Sequence, residues 1–349
     1  MSLVIYGLGS TGKAVVEQLI VAGTTIDLIL DRGKAGESFG DIPVRALGEL
    51  DDGALTGKTA LIALHNHYVD LHDIDEDLRR AGAAEVLTLV DLPRLVSSVR
   101  LPEGYWLDPT FDYDRAGERI ARMRSLLADE RSRTLFDQII RYRRSGKVAD
   151  CPKASLADEY VPADLPRYAE PLRLVDCGAF TGVAIHKFLK AGYAIDRVIA
   201  FEPDPKNFAI LSRRDFAAQQ TLCLPLGTWS STTQLKFASD GSMASQLSQT
   251  GDVTIQCVAI DDVLGSEPVT LIKLDVEGAE IETLLGARRM IEAQRPNLLV
   301  SAYHTPGHLF EIAELIASWN LGYRFHLRVH EQNTFGVVVY ALQDALIDR

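Results

Sequence analysis

Three side chains with proton-handling chemistry fall just past two apolar runs in the last third of the chain. Asp275 and Glu277 follow Thr270–Leu274, and His304 follows Asn297–Tyr303. Short apolar runs of this kind read as buried parallel strands, and doubly wound sheets bind ligands at the carboxyl ends of such strands. Histidine titrates nearest neutral pH, so His304 is the first choice for a base that removes a proton from a hydroxyl. A positioned base typically adds about 10²–10⁴-fold to a rate. Asp275 and Glu277 are the acidic candidates beside it, and a purely structural histidine at a strand end is the competing reading.

A second constellation runs from Leu172 to Asp204. Leu172, Leu174 and Val175 lead into Asp176-Cys177-Gly178-Ala179-Phe180-Thr181-Gly182, a helix is expected from Val183 to Ala191, and the run Val198–Phe201 ends on Glu202-Pro203. Glu202 lies 20 residues after Gly182, the spacing at which an acid meets the ribose hydroxyls of a bound nucleotide. The turn is D-x-G-x-x-x-G rather than G-x-G-x-x-G. Acids at Asp176 and Glu202 would repel a pyrophosphate and suit an adenosyl group carrying a sulfonium, as in S-adenosylmethionine. Asp176, Gly178, Ala179, Gly182, Glu202, Pro203 and Asp275 are the expected cofactor-binding residues, with Asp275 at the methionine end.

With KLDVEGAE (273–280) and VAIDDVL (258–264) added to that stretch, the carboxyl-terminal half resembles the FkbM-type S-adenosylmethionine-dependent methyltransferases. The resemblance implies a seven-strand doubly wound sheet, methyl transfer, and a hydroxyl of a sugar, glycan precursor or natural product as acceptor. Glu159-Tyr160-Val161-Pro162 is similar to a segment just before the first strand in relatives, which implies that Tyr160 borders the cofactor. Relatives carry a Glu two residues before the histidine of the His304 position. Here that residue is Ala302, so the usual acid support for the base is missing. Arg328 and His330 match a basic feature of relatives and are the expected grip on an anionic substrate group. Lys273, on the strand of Asp275, is a further substrate candidate or else an ion-pair partner for a nearby acid. No metal is assigned: His304 and His308 are four apart, but Pro306 and Gly307 between them break a shared helical face.

The amino-terminal part repeats the strand–glycine turn–helix–strand–acid theme. Leu3–Tyr6 precede Gly7, Gly9 and Gly12, and Ile26–Leu30 end at Asp31, 19 residues after Gly12. G-x-G-x-x-G in this context points to a second nucleotide site at Gly7, Gly9, Gly12 and Asp31. The order of elements, including GDIPVRALGEL (40–50), resembles the nucleotide-sugar-binding domains of bacterial sugar acetyltransferases, which implies a nucleotide or nucleotide sugar as ligand. A vestigial fold, with glycines only for close packing, is the alternative.

The 349 residues suffice for two cores, and three segments are expected. Residues 1–110 form a Rossmann-like α/β domain, 111–150 a helical connector that breaks near Asp129–Arg131, and 151–349 the methyltransferase domain. The connector holds ten Lys/Arg and five Asp/Glu between Asp114 and Lys147. It is either a basic face for phosphate or a salt-bridged helix surface.

A net charge of −12 argues against nucleic acid as the main partner. The four cysteines, scattered without a C-x-x-C pair, suit a reducing compartment. No apolar run reaches membrane-spanning length. A cytoplasmic enzyme acting on a small-molecule or glycan hydroxyl is expected. An NAD-linked oxidoreductase built on Gly7–Gly12, or a non-catalytic nucleotide-sugar-binding protein, are the alternatives.

Overall fold

The computed structural model describes residues 2–97, 104–237 and 253–347. The chain divides into two compact units. One comprises residues 1–116, 134–154 and 331–335, and the other residues 117–133, 155–330 and 336–349.

In the first unit, β1 (Ser2–Tyr6), β2 (Thr25–Leu30), β3 (Ser38–Phe39), β4 (Ile42–Arg45), β5 (Thr59–Ile62) and β6 (Glu85–Thr88) form a sheet in the order β3-β4-β2-β1-β5-β6. All neighbours are parallel except β3 and β4. The helix α1 (Ser10–Val21) starts directly from the glycine turn. A Cβ on Gly12 would stand 2.1 Å from the Gly7 carbonyl oxygen, so this glycine is required for the helix to lie against β1. The helix α2 (Leu71–Arg80) is capped by Asp70, which accepts from His72 N at 2.9 Å. A one-turn helix, α3 (Leu92–Leu95), follows β6.

The connector contains α4 (Gly117–Leu126) and α5 (Glu130–Ser145). Asp129 fills the break between them and accepts from Ser132 N at 2.7 Å. Its arginines meet acids: Arg119 pairs with Glu311 and Glu314, and Arg131 with Asp164.

The second unit is built on β7 (Leu172–Cys177), β8 (Ile195–Phe201), β9 (Gln220–Leu224), β10 (Gly227–Thr228), β11 (Thr233–Phe237), β12 (Val253–Val258), β13 (Leu271–Leu274), β14 (Asn297–Ser301), β15 (Arg324–Val329) and β16 (Val337–Leu342). Seven of them form one sheet in the order β15-β16-β14-β13-β7-β8-β9. The five strands from β14 to β9 are parallel, and β15 and β16 close the edge antiparallel. The strands β10, β11 and β12 form a separate three-stranded sheet, with β12 between β10 and β11. Trp229 sits beside that small sheet, half-buried and packed against Ile255 and Cys257.

Helices α6 (Val183–Lys190), α7 (Pro205–Leu211), α8 (Ile260–Leu264), α9 (Glu280–Gly286), α10 (Arg288–Gln294) and α11 (His308–Ser318) flank the strands. The core between sheet and helices includes Leu174, Ile185, Phe188, Val198 and Tyr340, all essentially inaccessible. Each large apolar side chain so buried contributes about 1.5–3 kcal/mol. That packing sets the strand tips, where the chemistry-bearing residues lie. No helix among the described residues is long and apolar enough to cross a membrane.

Candidate active site

The tips of β7, β8 and β13 are held together by short backbone links. Gly178 N and Ala179 N donate to Phe201 O at 3.0 and 2.9 Å. Gly178 has φ +72°, and a Cβ there would come within 1.8 Å of Asp275 O. Its lack of a side chain therefore lets the β7 turn touch the β13 tip. Gly182 caps α6 with φ +83°, and a Cβ would strike the Phe216 ring at 2.4 Å. These glycines make room first for the protein's own chain.

Glu202, at the tip of β8, is buried, and its two oxygens accept from Phe180 N at 2.7 Å and Asp204 N at 2.9 Å. Pro203 directs the chain between these contacts into the cap of α7, where Asp204 accepts from Lys206 N and Asn207 N. Burial raises the Glu202 carboxyl to about 7 against the lowering effect of the two backbone donors.

Asp176 differs from its expected part. It is fully buried, and Lys273 stands directly opposite on β13, Nζ 3.1 Å from Asp176 Oδ1. Lys273 also donates to Gly178 O at 2.7 Å. Burial alone would lower the lysine, but Asp176 and then Asp275 hold it above its ordinary value. Of the two readings for Lys273, the geometry shows the ion pair with a nearby acid, and the Asp176 charge is met by that lysine inside the fold.

Arg328 and His330 are corrected likewise. The Arg328 guanidinium is buried and engaged by Asp164 at 2.8 Å, Ser132 Oγ at 2.8 Å and Leu327 O at 2.7 Å. His330 uses one ring nitrogen on Ser155 O at 3.0 Å and the other on the Tyr340 hydroxyl at 2.7 Å. Tyr340 in turn accepts from Tyr160 N at 3.1 Å. Both basic residues brace the scaffold, and neither has a donor left for an anion.

The expected catalytic residues do converge. Asp275 follows β13, and its oxygens accept from the Tyr160 hydroxyl at 3.1 Å and the Tyr303 hydroxyl at 3.4 Å. Glu277 has φ +53°, followed by Gly278 at φ +102°. This left-handed pair is costly for a non-glycine residue and turns the Glu277 side chain back toward β14. His304 Nε2 then lies 3.6 Å from Asp275 Oδ1 and 3.4 Å from Glu277 Oε2. Burial would raise Glu277 and lower His304. Glu277 goes up to about 8. For His304 the surrounding acids, Glu280 foremost and then Glu277 and Asp275, outweigh burial and raise it to about 10.

Sequence reasoning missed Glu280. This residue opens α9, is fully buried, and places Oε1 2.9 Å from His304 Nδ1 and Oε2 3.1 Å from His308 Nδ1. The acid support that Ala302 cannot give comes from another helix. The signal was the second glutamate of KLDVEGAE, three residues after Glu277 in the first turn of the next helix. Glu280, His304 and His308 also offer one ligand atom each within 4.8 Å of one another, a donor set compatible with a divalent ion.

In the first unit, the Asp31 carboxylate accepts from Leu8 N at 2.8 Å and Gly33 N at 2.9 Å, and Lys34 donates to Leu8 O. These contacts hold the glycine turn closed on β2. Gly9 alone of the three turn glycines has open space where its Cβ would stand.

No curated protein matches the chain. The chain is similar in fold to a solved structure described as methyltransferase FkbM from Methylobacillus flagellatus KT. The two share 21% identity and a TM-score of 0.75, over 98% of this chain and 90% of that one. Residues 176–325, which carry Glu202, Asp275, Glu277, Glu280 and His304, match the family model described as Methyltransferase FkbM domain.

Proposed function

We propose that this chain is an S-adenosylmethionine-dependent O-methyltransferase acting on a hydroxyl of a sugar, glycan precursor or related natural product. The observation that carries the reading is the Glu202 carboxylate at the tip of β8, hydrogen-bonded to the loop after β7, inside the segment that matches the methyltransferase family model. With one backbone N–H on each oxygen, the carboxylate keeps lone pairs for ribose hydroxyls. Asp275 and Glu277 add acidic groups at the next tip, which favour a cationic ligand over a diphosphate.

When bound, S-adenosylmethionine supplies a methyl group activated by its sulfonium. The protein's part is to orient and to manage a proton. Holding acceptor and methyl carbon in line contributes on the order of 7–11 kcal/mol. Asp275, fixed by the Tyr160 and Tyr303 hydroxyls, presents its charge in one direction. His304 Nε2, between Asp275 and Glu277, is the atom placed to receive the acceptor's proton. A positive charge bound near Asp275 pulls the His304 pKa down from about 10 toward the range where the ring is neutral.

The acceptor class rests on the family match and on the amino-terminal unit, whose Gly7, Gly9, Gly12 and Asp31 turn we read as a second site for a nucleotide or nucleotide sugar. The test is formation of S-adenosylhomocysteine when the protein is given S-adenosylmethionine and a panel of nucleotide sugars and free glycans. Turnover that disappears in His304→Gln while cofactor affinity is retained supports the assignment. Cofactor binding without turnover on any hydroxyl acceptor would move the chain to a binding role.

A further inference from the structure

We infer that the first unit holds a binding site for an oxyanion, the phosphate or carboxylate of a small molecule, built by Arg143, Trp106 and Tyr113. Arg143 stands near the end of α5 and is only 4% exposed. Its neighbours on that helix are committed to acids: Arg141 pairs with Asp150, and Arg144 with Asp114. Arg143 makes no such pair among the described residues. Its Nε reaches Thr334 Oγ1 at 3.3 Å and its Nη2 reaches Thr334 O at 3.4 Å, both longer than a good N–H···O bond. Nη1 has no aligned acceptor. Burial pulls the guanidinium below its ordinary pKa, and the groups that oppose the fall are Tyr113, Tyr142 and Cys151. Burial keeps each of these protonated, so none of them brings a negative charge. A buried cation left in this state is costly to the fold.

The side chains against Arg143 share its deficit. The guanidinium lies over the Trp106 ring, Cζ 5.0 Å from the centroid, and the buried Trp106 Nε1–H has no partner. The buried Tyr113 hydroxyl makes no aligned hydrogen bond either. Buried polar groups are nearly always satisfied, and what these three lack in common is an acceptor. A phosphate or carboxylate group supplies several lone pairs together with the missing negative charge, whereas a cation would be repelled. The location suits a ligand. Thr88, the last residue of β6, donates to Gly146 O at 3.0 Å, which ties the end of α5 to the strand tips. His65, just past the end of β5, sets its ring 5.5 Å from that of Trp106 and is partly exposed, so the cluster borders solvent there. Parallel sheets of this kind bind ligands at the carboxyl ends of their strands. The site depends neither on the methyl-transfer reading nor on a nucleotide at Gly7, Gly9, Gly12 and Asp31.

Isothermal titration of the full chain with inorganic phosphate and, separately, with acetate tests the inference. The Trp106 indole N–H is followed in parallel by ¹⁵N-edited spectra, its resonance assigned through Trp106→Phe. Saturable binding of one equivalent of either anion is expected, with the indole proton moving downfield as it gains an acceptor. Tighter binding of phosphate would mark a phosphorylated ligand, and tighter binding of acetate a carboxylic acid. Arg143→Met should weaken binding at least about tenfold, and Trp106→Phe and Tyr113→Phe by roughly 3–10-fold each. Should Arg143→Met not fold, the other two variants decide the matter. Absence of saturable binding of both anions at millimolar concentration overturns the proposal. Binding that Arg143→Met leaves unchanged also overturns it, as does an indole resonance that stays in place at saturation. S-adenosylmethionine titrated into the same samples should bind with unchanged affinity in all three variants. Its failure to bind the unaltered protein would refute the methyltransferase reading and leave the anion site standing.

Discussion

Glu202 Oε2 accepts a hydrogen bond from Phe180 N at 2.7 Å, so the acid at the tip of β8 also fixes the turn after β7. Phe180 has φ +50°, a conformation that a non-glycine residue holds only when its surroundings insist. Removing the carboxylate charge should loosen the turn and the ribose site together. Glu202→Gln is expected to weaken S-adenosylmethionine binding by at least about tenfold, since a hydrogen bond to a charged group contributes about 1.5–3 kcal/mol. Calorimetric titration reads the change.

Glu202 also predicts a pH dependence. Its pKa in the fold is raised to about 7 by burial, so the folded state holds this proton where the unfolded chain has lost it. The group's contribution to stability accordingly falls as pH rises from its unfolded range to about 7, then stays level. Cofactor affinity should run the other way, because the ionised form is the better acceptor for hydroxyls. Affinity measured at pH 8 is expected to exceed that at pH 6, and Glu202→Gln should flatten the profile.

The buried pair Lys273–Asp176 is structural, with side chains 4% and 0% exposed. Lys273→Met leaves an uncompensated carboxylate in the core and should cost about 3–5 kcal/mol. Adding Asp176→Asn should recover most of that loss. Denaturant unfolding of the two single variants and the double variant closes the cycle.

His304 predicts proton release. Its pKa is raised to about 10, so its stabilising charge is fully present below its unfolded value and lost as pH climbs toward 10. A bound cation near Asp275 lowers that pKa. At pH 8–9 cofactor binding should therefore release a fraction of a proton, seen as a dependence of binding enthalpy on buffer ionisation. His304→Gln should reduce that dependence, leaving the share released by Glu277, whose carboxyl burial raises to about 8.

Gly178→Ala tests the contact between the β7 turn and the β13 tip. The new Cβ would meet Asp275 O at 1.8 Å on a backbone with φ +72°. The expected loss is about 2–4 kcal/mol, with cofactor affinity falling as Asp275 is displaced. Thermal unfolding and titration together check both effects.

Much of this arrangement is legible in the sequence, for reasons that are local. The strand and helix of Leu172–Lys190 follow from apolar periodicity and a glycine turn, and the antiparallel closing pair β15 and β16 from alternation on either side of Glu331–Thr334. The positions of Asp275, Glu277 and His304 follow from the rule that chemistry gathers at strand tips. Cross-strand partnership is a different kind of fact. Lys273 meets Asp176 because β13 lies beside β7 in a fixed register, which spacing along the chain does not encode. Arg328 looked available because its partner Asp164 is far away in sequence. Glu280 meets His304 only through tertiary packing, so the chain read in order shows the missing Glu at Ala302 but not its replacement. The separate sheet of β10, β11 and β12 is likewise a tertiary choice that their alternation does not reveal.

The ligand that occupies the turn between Gly178 and Glu202 decides the chemistry of the second unit. Isothermal titration of the full chain with S-adenosylmethionine and, separately, with NAD addresses it most directly. One equivalent of S-adenosylmethionine per chain is expected, weakened at least about tenfold in Glu202→Gln, with no NAD binding that depends on Glu202. Saturable NAD binding that Glu202→Gln abolishes, with no heat from S-adenosylmethionine, would contradict it.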